Sequence, residues 1–264
     1  MIVNLKGKKA VITGSTSGIG YAIAEALAQA GCSVLINGRT EQSVTKALHK
    51  LIKELPEADV SGVAADLSSP QGINKMIECW PETDILVNNI GIFEPKPFFD
   101  ITDEEWDTYI QVNLMSAVRL SRHYVKEMVK RGWGRVINNA SATSGFFSGE
   151  MVHYGATKAA LLAFSRGLAE SVAGSGVTVN AFLPGPTKTE KVESFMTDRA
   201  QEAGKSTEQF EQELFEKHLP TSLIKRFATT KEVANLVVFL ASEQASPITG
   251  TAQRVDGGIL RSIL

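Results

Sequence analysis

The chain has little cysteine. Cys32 and Cys79 are its only two, each set in apolar sequence, which predicts buried free thiols rather than a disulfide or a metal site. It also lacks an excess of either charge: 27 basic and 29 acidic side chains leave a net −2, so nothing electrostatic marks a nucleic-acid partner. No run of about 18 apolar residues exists, which excludes a membrane-spanning helix. The four histidines, His49, His123, His153 and His218, show no ligand spacing, so no metal is expected. Internal repeats, low-complexity tracts and linkers are absent, which predicts a single domain over residues 1–264. A first strand beginning at Lys9 leaves no room for a signal peptide in front of it. The expectation is a cytoplasmic protein. With 43% hydrophobic and 21% charged residues, the composition is that of an ordinary globular chain able to bury a large core.

What is present is an alternation of two periods. Short apolar runs predict strands at Lys9–Thr13, Ser33–Asn37, Val60–Ala64, Ile85–Asn88, Gly134–Asn138, Gly176–Phe182 and Gln253–Val255. Helix-period segments fall between them at Ile19–Ala30, Gln42–Lys53, Gln71–Cys79, Thr102–Arg131, Val152–Ala173 and Thr230–Ala241. Thr102 with Glu105, and Thr229 with Glu232, have the spacing of a capping box. Strand, helix, strand repeated this way predicts an α/β fold: a Rossmann-type doubly wound parallel sheet with helices on both faces. One segment breaks the rhythm. Lys188–Leu219 is charged and polar, with Phe195, Met196, Phe210, Leu214 and Phe215 spaced through it. Phe210, Leu214 and His218 recur at four-residue steps, so its second half predicts an amphipathic helix. An insertion of this length is either a substrate lid or a helical decoration.

Between the first strand and first helix lies Thr13-Gly14-Ser15-Thr16-Ser17-Gly18-Ile19-Gly20. Glycine suits such a turn twice over. The backbone must bend tightly, and a pyrophosphate reaches the amides of a helix N-terminus only where side chains are missing. The spacing differs from G-x-G-x-x-G. About 20 positions further on, where an NAD site places an acidic residue for the ribose 2′-hydroxyl, the chain reads Gly38-Arg39. Tyr154 and Lys158 stand four apart in a helical segment and share one face of it. An ammonium beside a phenol, whose ordinary pKa is near 10, is expected to lower it toward the working range. The His153 side chain points about 100° away around that helix, which favours a structural or substrate contact. Asn113 lies on an otherwise apolar helix face, where an amide can satisfy buried backbone.

Taken in order, these residues resemble the short-chain dehydrogenase/reductase family, 3-oxoacyl reductases among them. The spacing T-G-x-x-x-G-x-G is followed by Asn88-Asn89-Ile90-Gly91, Asn113, Ser141, Tyr154-Gly155-Ala156-Thr157-Lys158, Pro184-Gly185 and Val255-Asp256-Gly257-Gly258, over nearly the whole chain. The resemblance implies hydride transfer between a nicotinamide and a carbonyl or alcohol carbon. Tyr154 protonates the developing alkoxide, Ser141 hydrogen-bonds the substrate oxygen, Lys158 tunes Tyr154 and holds the nicotinamide ribose, and Asn113 holds a water that resupplies protons. It further implies cofactor contacts at Gly14, Ser15, Ser17, Gly18, Ile19, Gly20, Arg39, Asp66, Leu67, Asn88, Gly91, Pro184, Gly185, Thr187 and Thr189. Ile90 departs from the family's alanine, and Ser17 stands where many NADP-preferring members carry a second cation.

Gly38 removes the charge that would repel a 2′-phosphate, and Arg39 supplies a planar cation suited to one. NADP(H) is therefore expected over NAD(H). Phe146, Phe147, Met151, Phe195 and the 188–219 segment are expected to line an apolar pocket for a small carbonyl or alcohol substrate: a ketone, a 3-oxoacyl thioester, a steroid or a polyol with apolar reach. The two long helices match those that pair between subunits in relatives, which implies a homodimer or homotetramer. Two other readings remain at this point, a dinucleotide-binding regulator without catalysis and a sugar-nucleotide epimerase or dehydratase. The latter relatives usually space their glycines G-x-x-G-x-x-G and add a substrate domain, and this chain has neither.

Overall fold

A computed structural model describes residues 3–145 and 149–263. The first half alternates as its periods predict: β1 (Lys9–Ile12), α1 (Gly18–Gln29), β2 (Ser33–Gly38), α2 (Glu41–Glu54), β3 (Val60–Ala64), α3 (Pro70–Cys79) and β4 (Ile85–Asn88). Next come α4 (Asp103–Ile110), α5 (Ser116–Arg131), β5 (Gly134–Asn139), α6 (Val152–Ser171) and β6 (Val177–Pro184). The chain closes with β7 (Thr187–Lys188), α7 (Glu190–Glu202), α8 (Thr207–Glu213), β8 (Ala228–Thr229), α9 (Thr230–Ala241) and β9 (Ala252–Val255).

Seven strands form one parallel sheet in the order β3-β2-β1-β4-β5-β6-β9. Because side chains alternate across a strand, a sheet covered on both faces needs apolar residues at every position. Ala10, Ile12, Val34, Ile36, Ile85 and Val87 point to one side and pack with α1, α2 and α9. Val11, Leu35, Leu86, Val136 and Val179 point to the other and pack with α3, α5 and α6. Both predicted capping boxes form, at Thr102 and Thr229, and Ser206 with Gln209 makes a third.

Three expectations need correction. The helix predicted over Thr102–Arg131 is broken: Gln111–Met115 is a π-helical turn between α4 and α5, with Asn113 at its centre. The 188–219 segment carries helix in both halves, not only the second, with a further π turn at Leu214–His218. It has its own core of Met196, Phe215 and Phe227, flanked by Val192, Phe210, Leu214 and Leu219, and the β7–β8 pair ties its base. Cys32 is buried as expected, but Cys79 is exposed, because the last turn of α3 presents it away from the sheet, where Ile73 and Met76 pack.

Candidate active site

The strand order reverses between β1 and β4, and in open α/β sheets ligands bind beyond the carboxyl ends of the strands at that point. A cleft of about 470 Å³ opens there. Its walls come from the chain just past β1, β4, β5 and β6, from α6, and from the 188–219 segment.

The glycine loop is held by groups beyond the motif. Gly14 takes φ +60°, a left-handed value open to glycine. A Cβ at Gly20 would stand 2.3 Å from the Gly14 oxygen and 2.4 Å from Asn89 Nδ2, so only hydrogen lets α1 begin this close to the loop. Ser15 is buried; its hydroxyl donates to the Ile12 carbonyl at 2.7 Å and accepts from the Asn37 amide at 2.9 Å. Asn37 Oδ1 accepts from Gly14 N at 3.2 Å, while its Nδ2 bonds β3 carbonyls. Asn89 Nδ2 donates to the Thr13 and Gly14 carbonyls at 3.0 Å, and Asn89 Oδ1 accepts from Asn139 Nδ2 at 2.8 Å. These shaped, side-chain-free amides fit a dinucleotide phosphate. Asn37 and Asn139 carry no signal in the sequence beyond polarity at the ends of apolar strands, and Asn89 stands inside the Asn88-Asn89-Ile90-Gly91 motif.

Tyr154 and Lys158 share a helix face, as their spacing predicts, and Ser141 and Asn113 meet them, as the resemblance implies. Ser141 and Tyr154 stand close enough for the serine to act on the phenol, and both line the cleft with Lys158. Lys158 is 2% exposed, donates to the Asn139 carbonyl at 2.7 Å, and lies 5.7 Å from the Tyr154 ring centre. Burial pushes its pKa down to about 8. Tyr154 moves opposite to expectation: burial raises its pKa, and the neighbouring Ser141 hydroxyl only partly offsets this. The Lys158 ammonium bonds a carbonyl rather than the phenol, so burial dominates. Asn113 stands beside them, with Oδ1 accepting from Ile92 N at 2.8 Å and Nδ2 donating to Ile92 O and Thr157 Oγ1 at 3.1 Å. A π turn around such a residue is a common local device at functional sites. His153 is buried behind Tyr154 against Tyr109, ring centres 4.1 Å apart, and outside the cleft; burial lowers its pKa.

Other expected contacts divide. Ile19, Gly91, Pro184, Gly185, Thr187 and Thr189 line the cleft. Asn88 does not: its side chain is buried and donates to Asn138 Oδ1 at 2.8 Å, and its neighbour Asn89 takes the lining position. Leu67 is fully buried in the core, leaving only its backbone to meet a ligand. Asp66 is exposed and accepts from Ser68. Ser17 is exposed and gives α1 no side-chain cap. Arg39 is exposed with no ion-pair partner among the described residues. Ile90, larger than alanine, packs against the core on the α5 side. Of the expected apolar lining, Met151 faces the cleft; Phe195 does not, being 54% exposed on α7. Phe146 and Phe147 lie outside the described residues.

A family model described as enoyl-(acyl carrier protein) reductase matches residues 14–260. The oxidoreductase YvrD of Bacillus subtilis is 49% identical with all of both chains covered. A 3-oxoacyl-[acyl-carrier-protein] reductase of Aquifex aeolicus is 36% identical over 98% of this chain and all of its own. Among solved structures, L-sorbose reductase of Gluconobacter frateurii, complexed with NADPH and L-sorbose, superimposes with a TM-score of 0.93 at 36% identity, with both chains fully covered. The chain belongs to the short-chain dehydrogenase/reductase family. It is an NAD(P)-dependent oxidoreductase acting between carbonyl and alcohol, not the regulator or the epimerase that the sequence left open. No helix among the described residues is long and apolar enough to cross a membrane.

Proposed function

We propose that the protein is an NADPH-dependent reductase of uncharged ketones bearing an apolar arm. The observation that carries this is the juxtaposition of Ser141 and Tyr154 with a buried lysine in the wall of one apolar cleft. A nicotinamide dinucleotide with its diphosphate on the glycine loop would supply the hydride to the carbonyl carbon. Ser141 Oγ hydrogen-bonds the carbonyl oxygen and fixes its position. Tyr154 Oη then donates its proton to the alkoxide as charge develops there, giving the alcohol. Its raised pKa keeps the phenol protonated near neutrality, which favours reduction. Lys158 keeps a positive charge below Tyr154 that stabilises the phenolate left behind. Asn113 fixes the 90–92 loop and Thr157, and its Oδ1 keeps a second lone pair for a proton-carrying water.

NADP(H) preference rests on Gly38. A Cβ there would stand 2.6 Å from Thr16 Cγ2 and 2.9 Å from Ser43 Oγ. The slot for a repelling carboxylate is already filled, while Arg39 stays open to solvent.

The substrate side of the cleft is Phe93, Met151, Val192, Leu219, Phe227 and Ile259; Lys158 is the sole charged side chain among the described lining residues. In a series of unbranched 2-alkanones, kcat/KM is expected to rise about fourfold per methylene until the cleft is full, and a keto acid of equal length to be at least about tenfold poorer. Steady-state rates with NADPH check this, and a flat series would exclude the apolar-arm reading. The 188–219 segment, which supplies Val192 and Leu219, acts as the lid.

A homodimer or homotetramer completes the reading. Ala156, Ala163 and Gly167 are exposed along α6, small residues that let a second helix approach closely. Gly167→Arg is expected to shift the protein toward monomer in light scattering; an unchanged mass would place the interface elsewhere. A reducing compartment such as the cytoplasm suits its two unpaired thiols.

A further inference from the structure

One contact in the cofactor region joins chain segments 172 residues apart: the Gly18 amide donates to Glu190 Oε2 at 3.1 Å. Gly18 opens α1 and Glu190 opens α7. A Cβ on Gly18 would stand 3.3 Å from Thr189 Cγ2, so the start of the lid helix sits directly over the start of α1. Ser17, at the N-cap position of α1, makes no side-chain bond to the helix; the carboxylate of Glu190 supplies that anion from across the cleft. Negative charge at a helix N-terminus is stabilising, and the effect is confined to the first turn. The diphosphate of a dinucleotide, bound along the same loop, needs the same amide. Two anions cannot share it.

We propose that Glu190 is a tethered anion that competes with the dinucleotide diphosphate for the Gly18 amide, setting cofactor affinity and coupling cofactor binding to the position of the lid helix. This rests on the dinucleotide site proposed above. When the diphosphate takes the amide, Glu190 must turn away, and α7, which carries it, must reseat. Val192, two residues on, lines the cleft. Cofactor binding therefore reshapes the substrate wall, and the cofactor is expected to bind first. Glu190 is a positioning residue: it acts on affinity and on the lid, not on the reacting atoms.

The test is NADPH binding to the full-length protein by calorimetry, for wild type, Glu190→Gln and the control Glu193→Gln, which removes an exposed charge from the same turn of α7. Glu190→Gln is expected to bind about tenfold more tightly at low salt. That gap should shrink at 0.5 M salt, as screening removes charge repulsion but not a steric effect. Glu193→Gln should match wild type. Without dinucleotide, Glu190→Gln should unfold at a lower temperature than wild type, since α1 loses its anion. Equal or weaker binding by Glu190→Gln, or a gap indifferent to salt, would overturn the proposal while leaving the dinucleotide site standing. If neither wild type nor variant binds NADPH or NADH, the proposal and the site it rests on fall together.

Discussion

Tyr154→Phe is expected to lower kcat for ketone reduction by about a thousandfold or more, with NADPH affinity nearly unchanged. The phenol lines the cleft beside Ser141, and a positioned general acid contributes roughly 10² to 10⁴. Phenylalanine preserves the ring contact with Phe93, at 5.9 Å between centroids, so packing stays and only the proton is lost. Ser141→Ala should cost less, about 10- to 100-fold, because Tyr154 can still deliver its proton to a poorly oriented oxygen. The wild-type pH profile carries a second signature. Burial lowers Lys158 to about 8, so its charge is present below that pH and lost as pH rises through it. The reductive kcat/KM should fall on the alkaline side of about 8, while oxidation, which needs the phenolate, should gain with pH. Single-turnover and steady-state rates across pH 6 to 10 check both. A Tyr154→Phe enzyme retaining a tenth of wild-type kcat would remove Tyr154 from its role.

If the proposed NADP(H) preference holds, Arg39→Asp should reverse it, changing the ratio of kcat/KM for NADPH over NADH by about a hundredfold or more, as a cation suited to a phosphate becomes an anion that repels it. The structure adds a condition invisible in the sequence. Gly38→Asp alone should not yield a sound NAD enzyme, because its Cβ collides with the Thr16 methyl at 2.6 Å. Overpacking of this kind costs about 1–3 kcal/mol, so Tm should drop by several degrees. Adding Thr16→Ser removes that methyl, and Ser43 can rotate aside, so the double variant should recover Tm and prefer NADH. Kinetics with both cofactors and thermal unfolding of the three variants test this. A stable, NADH-preferring Gly38→Asp single variant would show that Thr16 does not guard the slot.

The parts of the site legible in the sequence are those set by short-range geometry. Tyr154 and Lys158 share a helix face because they are four apart, and the glycine turn is recognisable from its place between a strand and a helix. A parallel sheet with helices on both faces follows from the alternating periods, though its strand order does not. What stayed hidden depends on residues meeting from far along the chain. Asn89 and Asn139 lie at the ends of separate strands and meet only because β4 and β5 are neighbours. The resemblance implies Asn88, but Asn88 ends β4 with its amide turned to Ser121 and Asn138, and Asn89, just past the strand, faces the cleft. Burial reversed the expected direction at Tyr154, since depth is a property of the assembled sheet and lid. Phe195 is apolar and lies in the segment over the cleft, but composition does not say which face of α7 it takes.

The π turn at Gln111–Met115 makes the molecule unusually intolerant of a particular accident of inheritance. It holds one residue more than a regular helical turn, and that surplus sets Asn113 relative to α5. Loss of a single codon in this stretch would let α4 and α5 fuse into one regular helix while swinging the asparagine about 100° off its partners. Such a protein should keep its fold, less the Asn113 bonds to Ile92 and Thr157, and lose its activity, so a screen for folded protein would pass what a growth selection on activity would discard.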